Sequence, residues 1–206
     1  MKLFYAPYAC SLASHITCLE AEIPVSMHRV DIRAKTIGDD GDFFNVNSKG
    51  QVPALEFEDG STLTEGAAVL QYLADLRPDS GLAPKAGSMA RYRLMEWLNF
   101  ISTELHKRIF YAIFDPNSDD AAKERAREAA HKKLEWLDNH IPSSGYLLGD
   151  TFSVADAYLY WWLFLAPRAG LEFDDLKIVQ DYINRCEQRP AIKAALAMET
   201  EASQAA

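Results

Sequence analysis

The sequence predicts two domains of different class, an α/β domain followed by an all-helical domain. Three observations support this prediction. The first eighty residues mix short apolar runs, typical of strands, with apolar residues at helical spacing. Residues after 88 keep the helical spacing and contain no convincing strand. Between these halves, residues 77–87 are rich in proline, glycine and polar side chains, which is the composition of a connector.

The first domain is predicted to run strand, helix, strand, helix, strand, strand, helix. The predicted elements are a strand at 2–5, a helix in which Leu12, Ile16 and Leu19 recur at helical spacing, a strand at 27–32, a polar loop at 33–42 with a short helix at 44–46, strands at 52–57 and 61–63, and a helix at 65–76. The turn Glu58-Asp59-Gly60 between the last two strands indicates a hairpin.

The second domain is predicted to contain helical segments only, at 88–114, 119–139, 153–168, 175–188 and 190–200. Ser153 and Asp156 have the spacing of a capping box, in which each side chain bonds a free backbone N–H group at the start of a helix. We expect residues 201–206 to fray. The predicted domain ranges are therefore 1–78, a linker at 79–87, and 88–206.

Composition narrows the class of protein. The chain has 206 residues, of which 49% are hydrophobic, enough to form a sizeable core. Its formal charge of -9 disfavours nucleic acid and anionic membranes as partners, because both attract basic surfaces. No apolar run approaches the roughly 20 residues that cross a bilayer, and the first residues do not resemble a secretory signal. We therefore expect a cytoplasmic protein without a membrane or nucleic-acid partner.

The three cysteines, Cys10, Cys18 and Cys186, are too few and too unevenly spaced for a disulfide framework. Cys10 follows a predicted strand and precedes a predicted helix, and the N-terminus of a helix favours the thiolate over the thiol. The alternative is that Cys10 is a small, inert core residue. We expect Cys18 and Cys186 to be packing residues.

Five sequence blocks occur in a recognisable order over nearly the whole chain. They are "MKLFYAP..CSL..H" at the start, "GQVPALE" at 50–56, "LTEGAAVLQYLADL" at 63–76, "EWLNFISTELHK" at 96–107 and "LLGDTFSVADAYL" at 147–159. Together they resemble the soluble glutathione transferases, and most closely the bacterial Beta-type members. The resemblance implies a thioredoxin-like domain followed by an all-helical domain, glutathione as co-substrate, no metal cofactor, and a homodimer.

The resemblance also implies which residues of the first domain hold glutathione. Glu65 and Gly66 match the pair that receives the γ-glutamyl end, although Gly66 stands where many relatives have serine, so one hydroxyl contact is missing. Lys35 matches a contact to the glycine carboxylate; the alternative is a solvated loop lysine. A cis bond between Val52 and Pro53 would present the Val52 backbone to the cysteinyl residue, and the alternative is an ordinary trans turn.

A polar stripe in the second domain is the next candidate. Asn99, Thr103 and His106 have the spacing i, i+4 and i+7, which places them on one face of an α-helix. The resemblance implies that this face belongs to the site and that His106 lies near the Cys10 sulfur; the alternative is a solvated helix face. Glu104 is predicted to reach the amine of glutathione in the partner subunit.

The predicted catalytic residues are Cys10, His106 and Ser11. Other glutathione transferases use a Tyr or Ser hydroxyl to hold the thiolate, and Ser11 is better placed for this than Tyr5. The aromatic residues expected to line an electrophile pocket between the domains, each of which is also a candidate core residue, are Tyr8, Phe110, Phe114, Trp161 and Trp162.

The sequence leaves three alternative hypotheses for the function. The first is conjugation of glutathione to small hydrophobic electrophiles, with Cys10 able to form a mixed disulfide with glutathione. The second is monothiol disulfide reduction or reductive dehalogenation, since Ala13 stands where a second cysteine would be needed for a dithiol pair. The third is a non-catalytic binding scaffold, because a fold does not fix a function.

Overall fold

The computed structural model describes residues 1–38 and 41–204. The chain divides into two compact units. The first contains Met1–Ala83 together with the segment that begins at Arg189, and the second is Pro84–Gln188. The ranges predicted from the sequence place all of 88–206 in one domain, whereas the compact units group the last helix with the first eighty residues.

The first unit is built around a mixed sheet. Its elements are β1 (Lys2–Tyr5), α1 (Ser11–Glu20), β2 (Ser26–Asp31), β3 (Thr36–Ile37), β4 (Gly41–Asp42), a 3₁₀ turn (Phe43–Asn45), β5 (Ala54–Glu56), β6 (Thr62–Thr64), α2 (Gly66–Asp75), a 3₁₀ turn (Pro78–Ser80) and α8 (Pro190–Gln204). Within the described residues the sheet has six strands in the order β4-β3-β2-β1-β5-β6. This arrangement confirms the predicted thioredoxin-like class.

Strand β1 lies in the middle of the sheet because three of its four residues are apolar and buried. It pairs in parallel with β2, where Phe4 is opposite His28, and antiparallel with β5, where Phe4 is opposite Ala54. One cluster of the core contains Phe4, Ala6, Val30, Phe43, Val52 and Ala54. The loop that follows β1 and the segment that precedes β5 are thereby fixed to the same core.

The prediction of a plain loop at 33–42 is wrong for its described part. Thr36–Ile37 pairs with β2 and with Gly41–Asp42, which gives two strands of two residues each. Such short strands form through pairing with a neighbour, and they are too short to show a period in the sequence. Asp39 and Asp40 of this predicted loop lie outside the described residues.

The last helix extends beyond its predicted end. The prediction that residues 201–206 fray is wrong for Glu201–Gln204, which continue α8. Ala205 and Ala206 lie outside the described residues. The buried side chains of α8 are Ile192, Ala195 and Glu199, which share one face of the helix.

The second unit is helical. Its elements are α3 (Met89–Phe100), a π-helix (Ile101–Phe110), α4 (Tyr111–Phe114), α5 (Asp120–His140), α6 (Val154–Leu165), a 3₁₀ turn (Ala166–Ala169) and α7 (Lys177–Glu187). The predicted helix at 88–114 is therefore three consecutive segments. None of the described helices is long and apolar enough to span a lipid bilayer.

The predicted capping box is confirmed at the start of α6, where Ser153 and Asp156 bond each other's backbone N–H groups. The Asp156 carboxylate also accepts hydrogen bonds from the Leu147 N–H and the Tyr182 hydroxyl, both at 2.9 Å. Complete burial of Asp156 raises the pKa of its carboxyl, although the four donors oppose that shift. This carboxyl thus joins a loop and two helices of the second unit.

Candidate active site

Cys10 stands at the N-terminus of α1 and is half-buried. Its Sγ–H group donates a hydrogen bond to the Val52 carbonyl oxygen at 3.1 Å. Cys18 and Cys186 are fully buried, and burial raises the pKa of Cys18 to about 12. Of the three cysteines in the described residues, Cys10 is therefore the one with an accessible thiol.

The segment Lys49–Val52 brings several predicted site residues together. The Val52–Pro53 bond is cis, which confirms the prediction. Besides the Cys10 thiol, the segment contacts the Lys35 ammonium, which donates to the Gly50 carbonyl oxygen at 2.8 Å. It also contacts the Glu65 carboxylate, which accepts a hydrogen bond from Lys49. Cys10, Lys35 and Glu65, which are far apart in sequence, are thus held around one short piece of chain.

The backbone is unusual at two of these residues. In the described part of the chain, four residues other than glycine have a positive φ, and they include Tyr8 (61°), Lys35 (60°) and Glu65 (72°). A side chain makes this conformation unfavourable, and such residues are concentrated at functional sites. Lys35 and Glu65 are predicted site residues, and Tyr8 precedes Cys10 by two positions. Three of the four residues therefore lie where ligand contacts are expected, and the fourth, Glu22 (51°), follows the end of α1.

Ser11 is fully buried, and its hydroxyl bonds the Ala6 backbone. The hydroxyl donates to the Ala6 carbonyl oxygen and accepts from the Ala6 N–H, both at 3.2 Å. This pair of bonds closes the loop between β1 and α1. Tyr5 is also buried; burial, followed by the negative charge of Glu199, raises the pKa of its hydroxyl. The catalytic role predicted for Ser11 stays a prediction.

A buried carboxylate that sequence analysis missed supports the Cys10 loop. Glu199 of α8 is 0% exposed; one of its oxygens accepts from the Tyr8 N–H at 2.6 Å, and the other lies 3.2 Å from His15 Nδ1. The Tyr8 hydroxyl donates to Thr200 Oγ1 at 2.8 Å. A sequence signal existed, since an acidic residue shares the apolar face of α8 with Ile192.

In the second unit, His106 lies among aromatic side chains. Its Nδ1 is 2.8 Å from the Tyr158 hydroxyl, and its ring centroid is 4.6 Å from that of Trp161. Burial, with a smaller contribution from the charge of Lys107, lowers the pKa of His106 to about 3. The imidazole is therefore neutral at physiological pH, and its Nε2 has no hydrogen-bond partner within residues 1–38 and 41–204.

The predicted stripe of Asn99, Thr103 and His106 does not have α-helical geometry, because residues 101–110 form a π-helix with more residues per turn. The Thr103 hydroxyl donates to the Asn99 carbonyl oxygen at 2.9 Å. Glu104 pairs with Arg108 at 2.9 Å and Lys133 at 3.1 Å, and these bonds lower the pKa of its carboxyl. The predicted contact of Glu104 with a partner's ligand stays a prediction.

The aromatic residues considered for an electrophile pocket differ in burial. Phe110, Trp161 and Trp162 are buried and pack against one another, with Phe110 stacked on Trp162 at 5.2 Å. Phe114 is exposed. Within the second unit, Phe110, Trp161 and Trp162 are therefore core residues.

The first unit fits a tripeptide with a carboxylate at each end. The side chain of Glu65, the N-cap residue, does not cap the start of α2, so N–H groups there can bind an anion. The Lys35 ammonium offers a second donor, which is cationic. The exposed Glu65 carboxylate can accept a hydrogen bond from an ammonium group. The Val52 carbonyl oxygen, now paired with the Cys10 thiol, can accept a peptide N–H instead. These groups match the charges and the main chain of glutathione.

Comparison with known proteins decides the family. Residues 9–76 match the glutathione S-transferase N-terminal domain model, and residues 120–196 match the glutathione S-transferase C-terminal domain model. Glutathione S-transferase GstA of Escherichia coli O157:H7 is 42% identical over 199 residues, which are 97% of this chain and 98% of that protein. The chain belongs to the glutathione S-transferase family. It is accordingly an enzyme of the transferase class.

Solved structures of other glutathione S-transferases agree with this assignment. A bacterial Beta-class enzyme from Sphingomonas chungbukensis superposes with a TM-score of 0.91 at 40% identity, covering 97% of this chain and 98% of its own. A sphingomonad enzyme complexed with glutathione has the same TM-score and identity and covers 97% and 99%. The predicted Beta-type membership is confirmed.

Proposed function

We propose that the protein conjugates reduced glutathione to small hydrophobic electrophiles. The observation that carries this proposal is the convergence of Cys10, Lys35 and Glu65 on the Lys49–Val52 segment. In the proposed complex, the start of α2 at Gly66 binds the γ-glutamyl carboxylate and Glu65 binds the amine. Lys35 binds the glycine carboxylate, and the Val52 backbone next to Pro53 pairs with the cysteinyl residue.

The chemical step is a nucleophilic substitution. The glutathione sulfur, as thiolate, forms a bond to the electrophilic carbon, and the leaving group departs with its electron pair. We propose that Cys10 hydrogen-bonds this thiolate, while Ser11 fixes the loop that carries Cys10. His106 takes part as a neutral imidazole through Nε2, because burial opposes its protonation. Asn99, Thr103 and Glu104 are proposed to complete the site.

An aryl halide tests the proposal. We expect the purified protein to accelerate its reaction with glutathione, with release of halide equal to the conjugate formed. No acceleration over the reaction without protein would contradict the proposal. The natural electrophile class can then be narrowed by comparing halides of increasing apolar size.

A second activity, monothiol exchange, is favoured by one observation. Cys10 is half-buried and is not in a disulfide, whereas Cys18 and Cys186 are buried in the core. In this reaction the Cys10 thiolate attacks one sulfur of oxidised glutathione, the disulfide breaks, and one glutathione leaves as thiolate. The product is a mixed disulfide between Cys10 and glutathione. Reductive dehalogenation through the same Cys10 sulfur belongs to this proposal: two glutathione molecules supply the two electrons and become oxidised glutathione, and the halogen leaves as halide.

Replacement of cysteines separates the two activities. We expect Cys10→Ala to abolish disulfide exchange while part of the conjugation rate remains. The matched control is Cys18→Ala, which removes a thiol that is inaccessible and should leave exchange unchanged. If both variants exchange like the parent protein, Cys10 has no covalent role. In a separate experiment, failure of the parent protein to bind immobilised glutathione would leave the non-catalytic scaffold as the remaining alternative.

We further propose a cytoplasmic homodimer in which residues 1–78 bind glutathione, 79–87 link the domains, and 88–206 supply the electrophile pocket and part of the subunit interface. Exposed apolar side chains on α3, Met89 at 70% and Tyr92 at 56%, support a surface that is covered in an assembly. The three cysteines form no disulfide with one another, which supports a reducing compartment. Sedimentation equilibrium tests the assembly, and Tyr92→Glu should shift it toward monomer.

A further inference from the structure

Two side chains of the first unit meet at Gly50. This residue has a φ of +62°, and a Cβ atom added to it would lie 2.8 Å from Phe44 Cε1 and 3.4 Å from Lys35 Cδ. The Phe44 ring and the Lys35 stem therefore both adjoin Gly50 on the side where a side chain would stand. The Lys35 ammonium donates to the Gly50 carbonyl oxygen at 2.8 Å. Lys35 is thus held against Gly50 along its stem and at its end.

The backbone of Lys35 is fixed as well. Its N–H group donates to the Asp31 carbonyl oxygen at 2.8 Å, and its carbonyl oxygen accepts from the Phe43 N–H at 2.9 Å. A lysine side chain in water moves among many rotamers, and a ligand that orders it loses part of its binding free energy to that ordering. At Lys35 the backbone and the stem are both restrained without a ligand. The ammonium group is therefore presented to an anion in nearly one place.

Phe44 belongs to a short 3₁₀ turn that is attached to the core. Phe43, the residue before it, is fully buried in the cluster around β1. The Asp42 carboxylate accepts a hydrogen bond from the Phe44 N–H at 2.9 Å, which caps the turn. The Phe44 side chain itself is 48% exposed. Its ring is therefore fixed through its backbone and lies at the surface, where it restrains the Lys35 stem beside Gly50.

We propose that Phe44 is a positioning residue that fixes Lys35 for a terminal carboxylate, and that it thereby sets the preference for glutathione over the dipeptide γ-glutamylcysteine. This inference rests on the proposed function, in which Lys35 binds the glycine carboxylate. The dipeptide lacks the glycine, so its chain ends one residue earlier and does not gain from an ordered Lys35. Phe44 therefore acts on the selectivity for peptide length, and it acts only through Lys35.

Calorimetric titration of the intact protein with the two peptides tests the role of Phe44. We expect reduced glutathione to bind at least about tenfold tighter than γ-glutamylcysteine. Phe44→Ala should weaken the binding of glutathione by at least about threefold and leave the binding of the dipeptide unchanged. The matched control is Met198→Ala, which truncates an apolar residue of the first unit with 47% exposure and should change neither affinity. Equal losses for the two peptides in Phe44→Ala, or no loss for either, would overturn the proposal.

A double-mutant cycle tests whether Phe44 acts through Lys35. Lys35→Met should remove most of the preference for the tripeptide, and Phe44→Ala added to it should cause no further loss, because the group to be positioned is absent. A further loss of about threefold in the double variant would overturn the proposal and leave the Lys35 contact in place. If Lys35→Met keeps the preference, the contact of Lys35 with the glycine carboxylate is wrong, and this inference is wrong with it. The titrations measure binding alone, so their outcome is separate from that of the conjugation assay.

Discussion

Glu65 holds a backbone conformation that is unfavourable for its side chain, and its carboxylate is exposed. Its intramolecular partner, Lys49, is exposed as well, and an exposed ion pair stabilises a protein by about 0–1 kcal/mol. The Lys49–Glu65 ion pair therefore contributes little to the stability of the folded protein. We infer that Glu65 is held in place for the ammonium group of glutathione.

Replacing Glu65 tests this inference. Glu65→Gln removes a charged acceptor, and a hydrogen bond to a charged group contributes about 1.5–3 kcal/mol. We expect the KM for glutathione to rise by about 10- to 100-fold. The matched control, Lys49→Met, removes the intramolecular partner of Glu65 and should change KM by less than about threefold. Equal effects of the two substitutions would assign Glu65 a structural role.

His106 makes a separate contribution to the dependence of stability on pH. An unfolded chain protonates histidine near pH 6.5, whereas burial lowers the pKa of His106 in the folded protein to about 3. Between these values the unfolded state binds more protons, so the free energy of unfolding falls as the pH falls. The loss contributed by His106 is up to about 1.4 kcal/mol per pH unit.

Denaturant unfolding at several pH values checks this expectation. His106→Asn removes the titrating group, so its free energy of unfolding should fall less steeply than that of the parent protein as the pH decreases from 6.5. Other groups titrate equally in both proteins, and the difference in slope isolates His106. Parallel curves would show that folding leaves the pKa of His106 unchanged.

At the capping box of α6, the sequence predicts the contacts within the helix but not the contacts to other elements. Spacing alone predicted the bonds between Ser153 and Asp156, because both partners lie within one turn. It did not predict the Leu147 and Tyr182 contacts of the same carboxylate, since those donors approach from other elements. Asp156 is thus a helix cap and also a buried link between elements.

A comparison of two helix caps tests whether Asp156 also stabilises the protein as a buried link between elements. Asp156→Ala leaves several buried donors without a partner, each at a cost of about 1–3 kcal/mol, so we expect a loss of at least about 3 kcal/mol in the free energy of unfolding. Asp119→Ala removes the exposed cap of α5, which accepts from the Ala122 N–H, and should cost about 1 kcal/mol. Similar losses would mean that Asp156 acts as a cap only.

The π-helix at 101–110 marks where prediction from sequence failed. An α-helical period predicts one face for Asn99, Thr103 and His106, but nothing in the local sequence specifies the wider turn. The partner of His106, Tyr158, is 52 residues away in the chain. Contacts of this kind depend on packing between elements, which residue spacing does not report.

Over the whole molecule, the division into units follows contacts and not chain order. The class of each half and the place of Cys10 could be predicted from composition and local spacing, and the cis Val52–Pro53 bond from the resemblance to the family. The packing of α8 in the first unit could not, because it rests on a buried contact between Glu199 and His15, 184 residues apart.

Amide hydrogen exchange can measure this long-range support. Glu199→Leu leaves His15 and the Tyr8 N–H without a partner in the core, and breaking a buried polar pair costs about 3–5 kcal/mol. We expect faster exchange in the loop before Cys10 and in α1, with no change in α5. The matched control, Glu201→Leu, changes an exposed residue of the same helix and should leave exchange unchanged. Faster exchange in both variants would indicate general loosening of α8.

Because α8 belongs to the same unit as Met1–Ala83, the ribosome delivers the two parts of that unit separately, with Pro84–Gln188 made between them. While the helical unit is being synthesised, the surface of the first unit that packs against α8 is uncovered. Glu199 is not yet present to accept the hydrogen bond from the Tyr8 N–H. The thiol at Cys10 therefore reaches its final surroundings only after α8 has been translated.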